Sequence, residues 1–95
     1  MGKIFKFNFE DCKSFEDIKF EIEFQLHFET IVTDEEDAKR HFQECEIKED
    51  VETETIFSKN VHIVTEEGEE IYFVRVCCHF VPGYESVYSY SIALE

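Results

Sequence analysis

The chain has 95 residues, with 23 acidic side chains against nine basic ones and a formal net charge of −14. That balance argues against direct binding to nucleic acid, which needs a basic footprint, and against anionic membrane surfaces; it favours a basic partner and costs stability through self-repulsion. One domain is the expected size, with eleven Phe and four Tyr supplying much of the core.

The first ten residues, MGKIFKFNFE, hold no apolar run long enough for a signal peptide or a membrane span. Lys6 stands where a myristoylation signal has Ser or Thr. These features predict a soluble cytoplasmic protein, in which Cys12, Cys45, Cys77 and Cys78 are reduced thiols.

Residues 3–9 predict a first strand, with Phe5, Phe7 and Phe9 on one side and Lys6 and Asn8 on the other. The stretch 18–32 then predicts the strand around which the chain is organised. Ile18, Phe20, Ile22, Phe24, Leu26 and Phe28 alternate with Lys19, Glu21, Glu23, Gln25, His27 and Glu29, the period of two of a half-buried strand. Extended over its whole length it would span on the order of 50 Å, so a bend is expected, at Ile31 where the phase breaks. The two strands are close enough in sequence to pair antiparallel.

Residues 33–45 change period and predict a helix. Thr33 and Glu36 have the spacing of a capping box. Asp34, Glu35, Glu36 and Asp37 occupy the first turn, where carboxylates favour the helix N-terminus, and Lys39, Arg40 and His41 follow. Ala38, Phe42 and Cys45 form a narrow apolar stripe.

Residues 44–54 read as an acidic linker that becomes a strand near Val51, with Thr53, Thr55 and Phe57 sharing one side. Lys59-Asn60 is expected to turn, followed by a short strand over 61–65 and a hairpin loop at Glu66-Glu67-Gly68. Residues 71–81 are apolar on both sides apart from Arg75 and His79, the pattern of a central strand. Pro82-Gly83 fits a type II turn, and residues 87–94 form the last strand, with Tyr88, Tyr90, Ile92 and Leu94 on one side. The predicted order is β-β-α-β-β-β-β: an α+β domain whose antiparallel sheet of about six strands carries one helix on one face.

No catalytic or cofactor motif is present. Cys77, Cys78 and His79, with His27 or His62, have metal-binding side chains, but neighbouring strand residues point to opposite faces and no C-x-x-C pair exists. Cys77 and His79 have the residue types of a nucleophile and a base, yet strand positions i and i+2 lie about 7 Å apart. Glu21 and Glu23 share one strand face at a similar spacing, in a row of polar residues without an apolar pocket to separate their pKa values. The expectation is a protein without enzyme activity, metal or cofactor. The stripe of Phe5, Phe7, Phe9, Phe20, Phe24 and Phe28 is assigned to the core.

The acids remain the strongest signal. Glu21 and Glu23, Asp34, Glu35, Glu36 and Asp37, and Glu66, Glu67, Glu69 and Glu70 form the pool from which partner contacts are expected. In size and charge the chain resembles the small acidic inhibitors that phages make against restriction and CRISPR nucleases. That resemblance implies a DNA mimic acting in the host cytoplasm, which engages the basic nucleic-acid-binding surface of a nuclease or another DNA- or RNA-binding protein. A second expectation is self-association into a homodimer, or binding of a subunit, through an open sheet face that carries Phe73, Arg75, Cys77 and His79.

Overall fold

The computed structural model describes residues 5–27, 29–32, 34–44, 52–80 and 87–95. Its elements run α1 (Phe15–Gln25), β1 (Thr30–Val32), α2 (Glu35–Glu44), β2 (Glu52–Thr65), β3 (Gly68–Phe80) and β4 (Val87–Leu94). The strands form one mixed sheet in the order β1-β4-β3-β2. β2–β3 and β3–β4 pair antiparallel, and β1 pairs parallel with β4. The fold is α+β, with four strands among the described residues rather than six, and two helices rather than one.

The largest difference from the sequence reading is α1, where a strand was expected. Its N-cap is Ser14, whose hydroxyl accepts from the Asp17 amide, while the Asp17 carboxylate accepts from the Lys13 amide. These bonds satisfy donors that a helix start leaves without partners. The alternating pattern contains a helical one. Residues four apart sit only about 40° from each other around a helix, and residues two apart about 200°. Ile18, Ile22 and Leu26 therefore share one face and are fully buried, whereas Phe20 and Phe24 point away and are 69% and 56% exposed. Ile31, the expected bend, is instead the middle of β1, in register with Tyr88.

The described part of the expected first strand, residues 5–9, is not a strand; it is a strap over the α1 side of the sheet. Phe5 meets Tyr88 edge-on at 5.3 Å between ring centroids, and Phe7 and Phe9 meet Phe57 at 4.9 and 5.9 Å. The inward alternation of its phenylalanines survives, because ring burial rather than a strand ladder holds it. With Ile18, Ile22, Leu26, Val61, Ile63, Val74, Val76, Cys78 and Tyr88 these rings form the main core.

α2 begins two residues later than expected. Asp34 caps it, accepting from the Asp37 amide at 2.8 Å; Thr33 and Cys45 lie outside the described residues. Ala38 and Phe42 are buried as the stripe predicts, against Val32 and Val87. Because Val87 and Tyr88 alternate on β4, α2 packs on the sheet face opposite α1.

No turn occurs at Lys59-Asn60. Those residues pair with Val74 and Phe73, so the two expected strands are one continuous β2. The turn comes at Glu66-Glu67, closed by the Thr65–Gly68 pair, with Gly68 at φ 131°, a conformation glycine adopts without steric cost. The Pro82-Gly83 turn lies outside the described residues. β3 is the interior strand its two apolar faces predict, and β4 has the predicted bounds.

A bulge between Thr55 and Phe57 decides what β2 presents. Thr53 and Thr55 are in register with His79 and Cys77 on the α2 face, while Ile56 and Phe57 both join the core under α1. Thr53, Thr55 and Phe57 thus do not share a side, since the extra residue reverses the alternation.

Candidate functional site

The predicted acidic residues fall into three groups that face different ways. Glu21 and Glu23 lie on α1, on one side of the sheet. Both are half-buried and hydrogen-bonded: Glu21 accepts from Gln25 Nε2 at 3.0 Å, and Glu23 accepts from the Tyr90 hydroxyl at 2.9 Å. Asp34, Glu35, Glu36 and Asp37 start α2 on the other side. Asp34 serves as the cap, Glu35 pairs with Lys39 at 3.5 Å, and Asp37 pairs with Arg40 at 3.1 Å.

The third group stands apart at the β2–β3 turn. β4 flanks β3 only from Tyr72 to His79, with one more backbone bond from the Glu95 amide to the Ile71 carbonyl. The ribbon therefore projects on the order of 10 Å beyond its neighbour strand. Glu66, Glu67 and Glu69 are exposed there and Glu70 is half-buried. Glu69 pairs with His62, and Glu70 accepts from the Tyr72 hydroxyl at 2.7 Å. Val64, 78% exposed, lies on the same projecting ribbon.

The sheet face under α2 carries a polar row that sequence reasoning found only in part. His79 is fully buried, with Nδ1 2.9 Å from the Thr53 hydroxyl and Nε2 2.8 Å from the Ser89 hydroxyl. Burial holds its imidazole below the ordinary histidine range; Glu35 opposes that shift and Lys39 adds to it. A hydroxyl on each ring nitrogen positions the imidazole but does not stabilise an imidazolium as a carboxylate would. Cys77, also buried, lies 3.8 Å from the Thr55 hydroxyl, which in turn accepts from Arg75 Nε at 3.2 Å. Beside this row a recess of about 200 Å³ is lined by Asp34, Glu35, Arg75, Cys77, Ser89, Tyr90 and Ser91.

Phe73, Arg75, Cys77 and His79 do share the face opposite α1, but the helix predicted on the other side of the sheet, α2, packs on this face instead. Phe73 and Arg75 are exposed; Cys77 and His79 are enclosed by the chain itself. Thr53, Thr55 and Ser89 had no signal in the sequence, because the bulge and the strand register bring them to His79 and Cys77.

Among the described residues, Cys12, Cys77 and Cys78 are not in disulfides, and no three His, Cys, Asp or Glu side chains gather to hold a metal ion. Among them too, no helix is long and apolar enough to cross a membrane. Comparison with known proteins finds no matching family model, no matching curated protein and no matching solved structure.

Proposed function

We propose that the chain is a non-enzymatic acidic binding protein, an inhibitor that engages the basic nucleic-acid-binding surface of a nuclease or another DNA- or RNA-binding protein, as phage anti-restriction and anti-CRISPR proteins do. The observation that carries this reading is the projecting ribbon tipped by Glu66, Glu67, Glu69 and Glu70 on a chain of net charge −14. A surface built to hold nucleic acid is a basic groove, and a duplex presents it with about one negative charge per 1.7 Å. A two-stranded ribbon with a carboxylate tip is narrow enough to enter such a groove. The overall charge steers the encounter.

The test is capture from a bacterial lysate on immobilised protein, with and without excess duplex DNA, followed by a salt step. The expected result is a DNA- or RNA-binding protein that DNA and salt both displace, and that E66K/E67K/E69K protein captures more slowly and with weaker salt dependence. Capture of the same partner by charge-reversed variants of all three acidic groups would overturn the reading.

A further inference from the structure

We propose that the outer face of α1 docks a helix of the basic partner protein: Phe20 and Phe24 meet an apolar stripe on that helix, and the flanking carboxylates meet its lysines or arginines. This rests on the reading of a basic partner and names a second surface, apart from the ribbon tip, that meets it.

Among the described residues, Phe20 and Phe24 are the two most exposed aromatic side chains, and they lie directly opposite the buried face of α1. Their rings stack at 6.0 Å with 21° between planes, and His27 extends the stack at 5.7 Å from Phe24. At about 100° per residue, Asp17 and Glu21 fall on one flank of this ridge and Glu16 and Glu23 on the other. A helix apolar on two opposite sides buries one in its own core and leaves the other for a partner.

The surface beside the ridge has the shape of a helix-packing site. A recess of about 390 Å³ is lined by Glu16, Asp17, Lys19, Phe20 and Glu23. Positions 16, 19, 20 and 23 have the i, i+3, i+4, i+7 spacing of the four-residue hole that receives one side chain of a facing helix. Glu16 and Glu23 border that hole with Asp17 beside them, Phe20 walls it, and Lys19 is its fourth corner; three carboxylates against one ammonium suit an Arg or Lys whose stem lies along the ring. Charge selects among occupants. A second copy of the chain would set acidic flanks against acidic flanks, and an anionic bilayer would be repelled; a basic helix is attracted.

Two labelled peptides of identical leucine–lysine composition test this, one with leucines at heptad a and d positions and one scrambled. The wild-type protein should bind the heptad peptide more tightly than the scrambled one. The F20A/F24A variant should lose at least about tenfold in affinity for the heptad peptide, with little change for the scrambled one. Both rings are exposed, so the variant should keep the wild-type unfolding midpoint. Equal binding of the heptad peptide by wild type and variant overturns the docking proposal; if both proteins bind both peptides, the basic-partner reading survives. Binding of neither peptide by the wild type removes both readings. A wild-type dimer in light scattering that F20A/F24A converts to monomer overturns the proposal in favour of a second copy.

Discussion

The Tyr90 hydroxyl donates to Oε1 of Glu23 at 2.9 Å, joining β4 to α1 across 67 positions of sequence. Glu23 also borders the recess beside Phe20, so this bond sets one carboxylate of the proposed docking surface. Burial, and then the bond to Glu23, push the Tyr90 phenol up to about 12; Tyr88 rises to about 12 chiefly through burial. Both groups are protonated in the fold at pH values where the unfolded chain has begun to ionise. Their stabilisation is therefore fully present below about 10 and is lost as pH rises towards about 12. Ultraviolet titration should show Tyr88 and Tyr90 ionising late in the folded protein, and Tyr90→Phe should remove one late step. Tyr90→Phe should also cost roughly 1 kcal/mol at neutral pH.

His79 predicts an effect at the other end of the pH scale. Its pKa in the fold lies below the ordinary 6.5, so its contribution is present above that value and is lost as pH falls through the folded pKa. The Glu35 carboxylate limits the shift, and the Lys39 ammonium deepens it. Proton NMR should show the His79 ring titrating below the ordinary histidine value of 6.5. In His79→Gln, the difference from wild-type stability should narrow as pH falls through this window. A His79 titration at or above 6.5 would contradict the enclosed, hydroxyl-bonded ring.

Ile22→Ala and Phe24→Ala separate the helix from the strand that the alternation suggests. On a strand both side chains would face the core. On α1, Ile22 is fully buried and Phe24 is 56% exposed. Ile22→Ala should cost about 2–5 kcal/mol, and Phe24→Ala should change stability by no more than about 0.5 kcal/mol. Urea denaturation of the two variants reads this directly.

Gly68→Ala tests the turn that carries the acidic tip. Nothing lies within 4 Å of an added Cβ, but φ is +131°. The cost therefore comes from backbone strain rather than collision, on the order of 1–3 kcal/mol. Thermal unfolding should shift down accordingly, and the amide signal of Glu67 should move most, since it donates to the Thr65 hydroxyl that in turn donates to the Gly68 carbonyl.

Much of the sheet was legible because its signals are local. The two-sided apolar run of β3, the alternation of β4 and the Glu66-Glu67-Gly68 turn each depend on neighbours along the chain. The stripe of Ala38 and Phe42 likewise needs only the helical period. The candidate surfaces were legible less evenly. The acidic residues could be named, but not their division among two sheet faces and a projecting ribbon. Phe20 and Phe24 were assigned to the core and lie on the surface.

The sequence by itself determined the charge, the α+β class, the interior strand and the hairpin tip. Residues 18–28 were different, since apolar residues at every second position satisfy a strand and also contain the four-residue step of a helix. Only the tertiary structure decided between them: the core has room for Ile18, Ile22 and Leu26 from one side of α1, and the Ser14 cap satisfies the helix start. The phenylalanine strap already covers Phe57 and Tyr88 beside that helix. Register decided the rest. One extra residue at the β2 bulge turned Thr53 and Thr55 toward His79 and Cys77, and β1 paired parallel with β4 from more than fifty residues away. Such pairings depend on which surfaces meet in space, and no local period records them.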